Sequence, residues 1–250
     1  MEPERQLAQA LAALRAAHCD AEGVVRSLAA LSASAERGHL AASLGALESF
    51  DPKQVRIAAQ TAFWLNVFNA ALLRDAPELA LASGEGDVEA FLERPRVKMF
   101  GHRFSLDDIH HGLLRGNQPR HGRLRPPMAR NDARLAYMPI AYDERLHFAL
   151  HCATRSSPGL RVFEAGRVDA LLEEAATAYV RRTCRVEEAG AVIVAPRLLQ
   201  WYAADFGGTT GVVEFVLAHL DDDQAVDQAD RRRGSVKLRF DPYDWSLAAR

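Results

Sequence analysis

The run Ala62-Phe63-Trp64-Leu65-Asn66-Val67-Phe68-Asn69-Ala70-Ala71-Leu72-Leu73 contains only two polar side chains. A helix of that composition is apolar nearly all round, and such a helix is stable only where neighbours cover every face. The rest of the chain must be built around it. Asp51-Pro52 upstream suits an N-cap with proline at the first helical position, and Pro77 downstream marks a stop, so a helix is predicted between them. Asn66 and Asn69, three residues apart, are neighbours on its surface and must find hydrogen-bond partners once buried.

The chain has 250 residues, 48% of them hydrophobic, enough to bury a full core without covalent staples. A formal net charge of −2 gives no global attraction to nucleic acid or to a membrane surface. Cys19, Cys152 and Cys184 are widely separated and odd in number, which argues against a disulfide framework. After Met1-Glu2-Pro3-Glu4-Arg5 the Ala/Leu stretch is interrupted by Gln6, Gln9, Arg15 and His18, unlike a secretory signal, and no run approaches the roughly 18 to 20 apolar residues of a membrane span. These features predict a cytoplasmic protein with no nucleic-acid partner, no membrane partner and no cofactor; they leave the oligomeric state open.

Elsewhere the pattern is helix followed by strand. Leu7, Leu11 and Leu14, then Val24, Val25, Leu28 and Leu31, give two helices over 4–33, broken near Asp20 and Gly23. Residues 83–87 read as a loop before a short helix at 88–92, and 97–104 as a hairpin around Gly101. Ser105 with Asp108 three residues on resembles a capping arrangement that opens a helix at 109–115. Arg115 to Arg134 holds six arginines against the single acid Asp132 and reads as a long basic loop. Helices are predicted at 168–182, 196–206 and 212–220, strands at 184–187, 191–195 and 235–240, and an acidic loop at 221–230. The expected fold class is α+β, a mostly helical single domain with a small mixed or antiparallel sheet. Residues 1–50 would form an N-terminal helical segment and 51–250 the core domain.

Leu146-His147-Phe148-Ala149-Leu150-His151-Cys152 is the candidate site, with two imidazoles and a thiol at the end of an apolar run. Read as a strand, it puts His147 and His151 on one face and Cys152 on the other. The base for Cys152 would then come from His110 or His111, and the helical wheel favours His110. His147 and His151 would stand roughly 13 Å apart in a strand, too far to share an ion, so no metal is expected. Asn66 or Asn69 could donate to an oxyanion, and Arg115 and Arg134 could hold an anionic group of the substrate.

Several separated pieces resemble one family, the domain-of-unknown-function family numbered 547, found in bacteria and in plant proteins. They are Ala62 to Ala70, Ser105 to Arg115, Asn131-Asp132-Ala133-Arg134, Leu146 to Ala153, Ser156-Ser157-Pro158, Trp201 to Phe206 and Tyr243-Asp244-Trp245-Ser246-Leu247. The family pattern has Asn-Cys at His151-Cys152, Cys or Ser at Ser157, and Glu-His at His110-His111. The resemblance therefore implies His111, His147 and Cys152 as the matching site positions. In broad terms the order of elements is similar to papain-like and transglutaminase-like hydrolases, by analogy of fold alone.

Two functions are expected from these residues. The first is a cysteine-dependent hydrolase or acyltransferase, with Cys152 as nucleophile and His111 or His110 as base. The second is a non-catalytic binding module, in which the His/Asn/Cys groups form a buried network and the arginine loop contacts a small-molecule or peptide ligand, one that could be anionic.

Overall fold

A computed structural model describes residues 2–79 and 85–247. The protein is a mostly helical α+β fold with one two-stranded and one three-stranded sheet, the class expected from the sequence. The chain gathers into two compact units. One runs to Leu172 and resumes at Trp245; the other covers Glu173–Asp244.

In the first unit, α1 (Pro3–His18) buries Leu7, Leu11 and Leu14, the stripe its spacing predicts. The chain then turns through Gly23, at φ +85°, into α2 (Leu28–Ser32) and α3 (Ala35–Ala46). Serines cap both: Ser27 Oγ accepts from Ala30 N at 3.2 Å, and Ser34 Oγ from Arg37 N at 3.2 Å. Helix α3 was not predicted as a separate element, because it buries only Leu40 and Leu44 and so carries little periodicity.

The apolar run lies in α4 (Gln60–Leu79), and every residue from Ala62 to Leu73 is buried. Both predicted ends shift. Asp51 does act as a cap, accepting from Lys53 N at 3.0 Å, but it caps the separate 3-10 turn Pro52–Gln54. Pro77 lies inside the last turn of α4. It forfeits one backbone bond there, a loss offset by the burial of Ala76 and Leu79 beside it.

Residues 83 and 84 of the predicted loop lie outside the described residues, whereas 85–87 are helical, in α5 (Glu85–Glu93). Gly86 is tolerated in that first turn, where backbone N–H groups have no helical partner in any case. The predicted hairpin forms from β1 (Pro95–Met99) and β2 (His102–Ser105), paired antiparallel. Its two-residue turn, Phe100-Gly101, has φ of 44° and 77°, the left-handed pair that matches strand twist.

In the second unit the last turns of α6 (Val168–Thr183) lead into β3 (Arg185–Glu187), antiparallel to β4 (Val192–Pro196). Strand β4 is also parallel to β5 (Lys237–Asp241). All five β4 residues are buried, consistent with an unbroken apolar sequence at the centre of a sheet. The predicted helix at 196–206 divides into α7 (Arg197–Trp201) and the 3-10 turn Ala203–Phe206, before α8 (Gly208–His219). The predicted acidic loop is instead mostly helical, as α9 (Asp223–Asp230). Asp222 supplies the cap, accepting from Ala225 N at 3.0 Å, and Asp223 in the first turn offsets the helix dipole. No helix of the described residues is long and apolar enough to cross a membrane.

Candidate functional site

The predicted cap after β2 is present. Ser105 N donates to Asp108 Oδ2 at 2.9 Å and Asp108 N to Ser105 Oγ at 2.9 Å, so two otherwise unpaired donors are satisfied reciprocally. The helix it opens is wound wide, in π register over Asp108–Leu114, with Arg115 N bonded to His110 O five residues back at 2.9 Å. Such turns are rare and recur at functional sites. Both imidazoles are enclosed: His111 is buried at 3% exposure, and His110, partly buried, meets Phe68 of α4 edge to face with ring centroids 6.3 Å apart, on the inward side that the helical wheel expects.

His111 Nδ1 lies 3.1 Å from Asp107 Oδ1. The His110 ring lies over that of His111, centroids 3.9 Å apart, and His110 Nε2 is 3.3 Å from His147 Nδ1. Burial holds both His110 and His111 below the ordinary imidazole range. For His110 the neighbouring imidazoles add to the effect and the shift is large; for His111 the bond to Asp107 opposes it. Burial raises the Asp107 carboxyl, but the bond to His111 and the charges of His111, Arg120 and Arg123 outweigh that and hold it below its usual value. At neutral pH Asp107 is thus an ionised carboxylate beside the neutral imidazoles of His110 and His111.

Residues 146–152 are not a strand. Asp143 accepts from Arg145 N at 2.9 Å and caps the 3-10 turn Glu144–Phe148, and the chain beyond it is irregular. Side chains take the place of a neighbouring strand. Asn69 Nδ2 donates to Ala149 O at 3.0 Å, His151 N to Asn69 Oδ1 at 3.0 Å, and Cys152 N to Ser157 Oγ at 2.7 Å. Ala153, at φ 58°, turns the chain away. The alternation argument therefore fails: His147 meets His110, whereas His151 donates from Nδ1 to Pro158 O at 2.7 Å.

Cys152 is partly buried against the apolar core. Its thiol has no hydrogen bond to His110, His111 or His147, and burial pushes it up to about 12. Cys19 and Cys184 are raised by burial in the same way, to about 11 and about 12. The two predicted substrate-binding asparagines are committed to the backbone. Asn66 Nδ2 donates to Phe163 O at 2.8 Å and its Oδ1 accepts from Phe163 N at 2.9 Å, a clamp matching that of Asn69 on residues 149 and 151.

The predicted basic residues are likewise engaged. Arg115 is buried and donates to Pro119 O at 2.5 Å; Arg134 donates to Asp108 Oδ2 at 2.7 Å and Asp132 Oδ2 at 2.8 Å. Arg120, 7% exposed, pairs with Glu93 at 3.1 Å and Glu89 at 3.3 Å and approaches Asp107 at 3.9 Å. Arg123 shares Glu93 at 3.1 Å. Glu93, Asp107, Arg120, Arg123, Leu124 and Arg125 line a cavity of about 450 Å³. Asp107 and Glu93 are wall residues that the sequence did not single out for the site, whereas Arg120 belongs to the arginine loop expected to contact a partner. For Asp107 a signal existed, since it stands four residues before His111 and so on the same helix face.

Among the described residues no group of three or more His, Cys, Asp or Glu side chains could hold a metal ion. No curated protein and no solved structure matches the chain. A family model described as protein of unknown function, DUF547, matches residues 52–180. The match takes in α4, the hairpin, the π-wound turn, the arginine loop and residues 144–158; the resembling pieces at 201–206 and 243–247 lie beyond it. The match covers half of the chain, and the chain belongs to the DUF547 family of proteins of unknown function.

Proposed function

We propose that the DUF547 core of this chain is a non-catalytic binding module, in which the His/Asn/Cys network holds the fold and the arginine loop offers its cavity to an anionic ligand. The observation that carries this reading is the state of Cys152. A thiol acts as nucleophile near neutral pH only when an imidazole or a helix N-terminus favours the thiolate. Here the thiol is raised to about 12 by burial and has no imidazole bonded to it. Asn66 and Asn69, the candidate oxyanion donors, already satisfy backbone groups. The cavity, by contrast, has free cationic capacity. Arg125 is exposed on its wall, Arg123 makes one shared ion pair at the surface, and the Leu124 side chain beside them is 98% exposed.

Two measurements test the proposal. Iodoacetamide at pH 7 should leave Cys152 unmodified in the folded protein, with or without His111→Ala. Alkylation of Cys152 that His111→Ala suppresses would restore the hydrolase or acyltransferase expectation. Calorimetric titration with inorganic phosphate should show binding that the double substitution Arg123→Ala, Arg125→Ala weakens at least about tenfold, the worth of one good charged contact. Phosphate binding unchanged in that variant, or no binding to the wild type, would remove the ligand site.

A further inference from the structure

Asp107 has a second oxygen that the histidine cluster does not use. Its Oδ1 lies 3.1 Å from His111 Nδ1 and 3.9 Å from Arg120, whereas Oδ2 has no hydrogen-bond partner among the described residues. The side chain does not cap the π-wound turn that follows it either. Oδ2 is open to water: the Asp107 side chain is 17% exposed and forms part of the wall of the arginine cavity. An ionised carboxylate only accepts hydrogen bonds, and both of its oxygens do so.

The groups around Asp107 keep it in that state. Burial pushes its carboxyl up, but His111, Arg120 and Arg123 outweigh the push and hold it below the usual value. Glu93 of α5, the other acid of the wall, is already engaged, its Oε1 accepting from Arg120 and from Arg123 at 3.1 Å each. The wall thus presents the guanidiniums of Arg123 and Arg125 together with one acceptor that lacks a donor. A protonated amine would suit the acceptor but would be repelled by the arginines. An anion without hydrogen would suit the arginines but would set its lone pairs against Oδ2. A group that is anionic and also a donor satisfies both, and the unpaired charge on the wall discriminates against the rest.

We propose that the arginine cavity selects an oxyanion carrying its own O–H group, hydrogen phosphate rather than sulfate, with Asp107 Oδ2 accepting from that O–H. The proposal rests on the reading of the cavity as an anion site and adds to it the residue that sets specificity. A site built to bond a ligand hydroxyl rejects the analogue that lacks one, because its own polar group is then left unpaired. The Coulombic share supplied by the arginines is common to both anions, so the difference between them reports Asp107.

At pH 8 phosphate, arsenate and sulfate are all chiefly dianions, and only the first two carry an O–H. Calorimetric titration of the full chain at that pH should find phosphate and arsenate at least about tenfold tighter than sulfate, the worth of one hydrogen bond to a charged group. In Asp107→Asn, whose amide can turn a donor to the ligand, the preference should fall below about threefold, chiefly because sulfate gains affinity. Asp107→Ser, whose hydroxyl also donates, makes the same comparison if far-UV circular dichroism shows the amide variant unfolded. Sulfate bound as tightly as phosphate by the wild type, or a preference that persists in a folded Asp107 variant, would overturn the proposal and leave the anion site standing. Failure of all three anions to bind would remove the anion site and the proposal together.

Discussion

His110 Nε2 and His147 Nδ1 face each other at 3.3 Å, so one ring must carry the shared proton and the other accept it. A second proton at that contact would leave both facing nitrogens as donors, abolishing the bond, and would place a cation in a buried cluster. Because burial and neighbouring charge depress the folded pKa of His110 and His111, the unfolded chain takes up protons first as pH falls. The stabilisation is therefore complete above the ordinary imidazole value, about 6.5, and is lost as pH drops through the folded values. Urea midpoints measured at pH 7.5 and 5.0 should show a loss on the order of 1–3 kcal/mol at the lower pH, reduced in His110→Gln. A protein as stable at pH 5.0 as at 7.5 would contradict the assignment.

Asn69→Ala should destabilise the fold by about 2–4 kcal/mol, since it strands the carbonyl of Ala149 and the amide of His151 in a dry interior. Asn69→Asp should be similarly damaging: it keeps the acceptor, loses the donor and buries a charge. Chemical denaturation gives both values, and a change below about 0.5 kcal/mol for the alanine variant would mean that water reaches these groups.

The arginine loop should separate into structural and exposed members. Arg120→Ala removes a buried cation from Glu89, Glu93 and Asp107 and should cost about 1–3 kcal/mol, less than a fully buried pair because Glu93 is half exposed. Arg125→Ala, at an exposed position, should stay within about 0.5 kcal/mol of wild type. Equal thermal shifts for the two would refute the distinction.

Two glycines should respond in opposite directions to the same substitution. A Cβ on Gly159 would sit 1.8 Å from the backbone oxygen of Glu22, where the turn at 20–25 clasps residues 159 and 160, so Gly159→Ala should lower stability by about 2 kcal/mol or more. Gly38, exposed in α3, has nothing within 4 Å of that position. Gly38→Ala should raise stability by about 0.5–1 kcal/mol through helix propensity alone. Differential scanning calorimetry of the two variants decides the point by sign.

What the sequence made legible was local. The apolar run of α4, the Phe100-Gly101 turn, the Ser105 cap and the three strands of the second unit each rest on signals within a few residues of the element they specify. Residues 146–152 have a strand-like composition, yet their backbone partners are the side chains of Asn69 and Ser157, and no periodicity records a partner some eighty residues away. The π winding over Asp108–Leu114, which stacks His110 on His111, is a matter of backbone register that no side-chain pattern records. Arg120 looked like one more solvated cation because the acids that bury it, Glu89 and Glu93, come from α5. The need of Asn66 and Asn69 for partners was legible; that the partners would be backbone groups of irregular segments was not.

The paired asparagines of α4 have a consequence in time as well as in space. Amides in irregular segments usually exchange their hydrogens with solvent through small local openings. Those of His151 and Phe163 are held by side chains rooted in the most buried helix of the protein, so they can be released only when that helix itself gives way. In deuterated solvent these two isolated positions should keep their protons about as long as the centre of α4 does. The slowest-opening part of the molecule would then extend into stretches of chain that have no regular secondary structure.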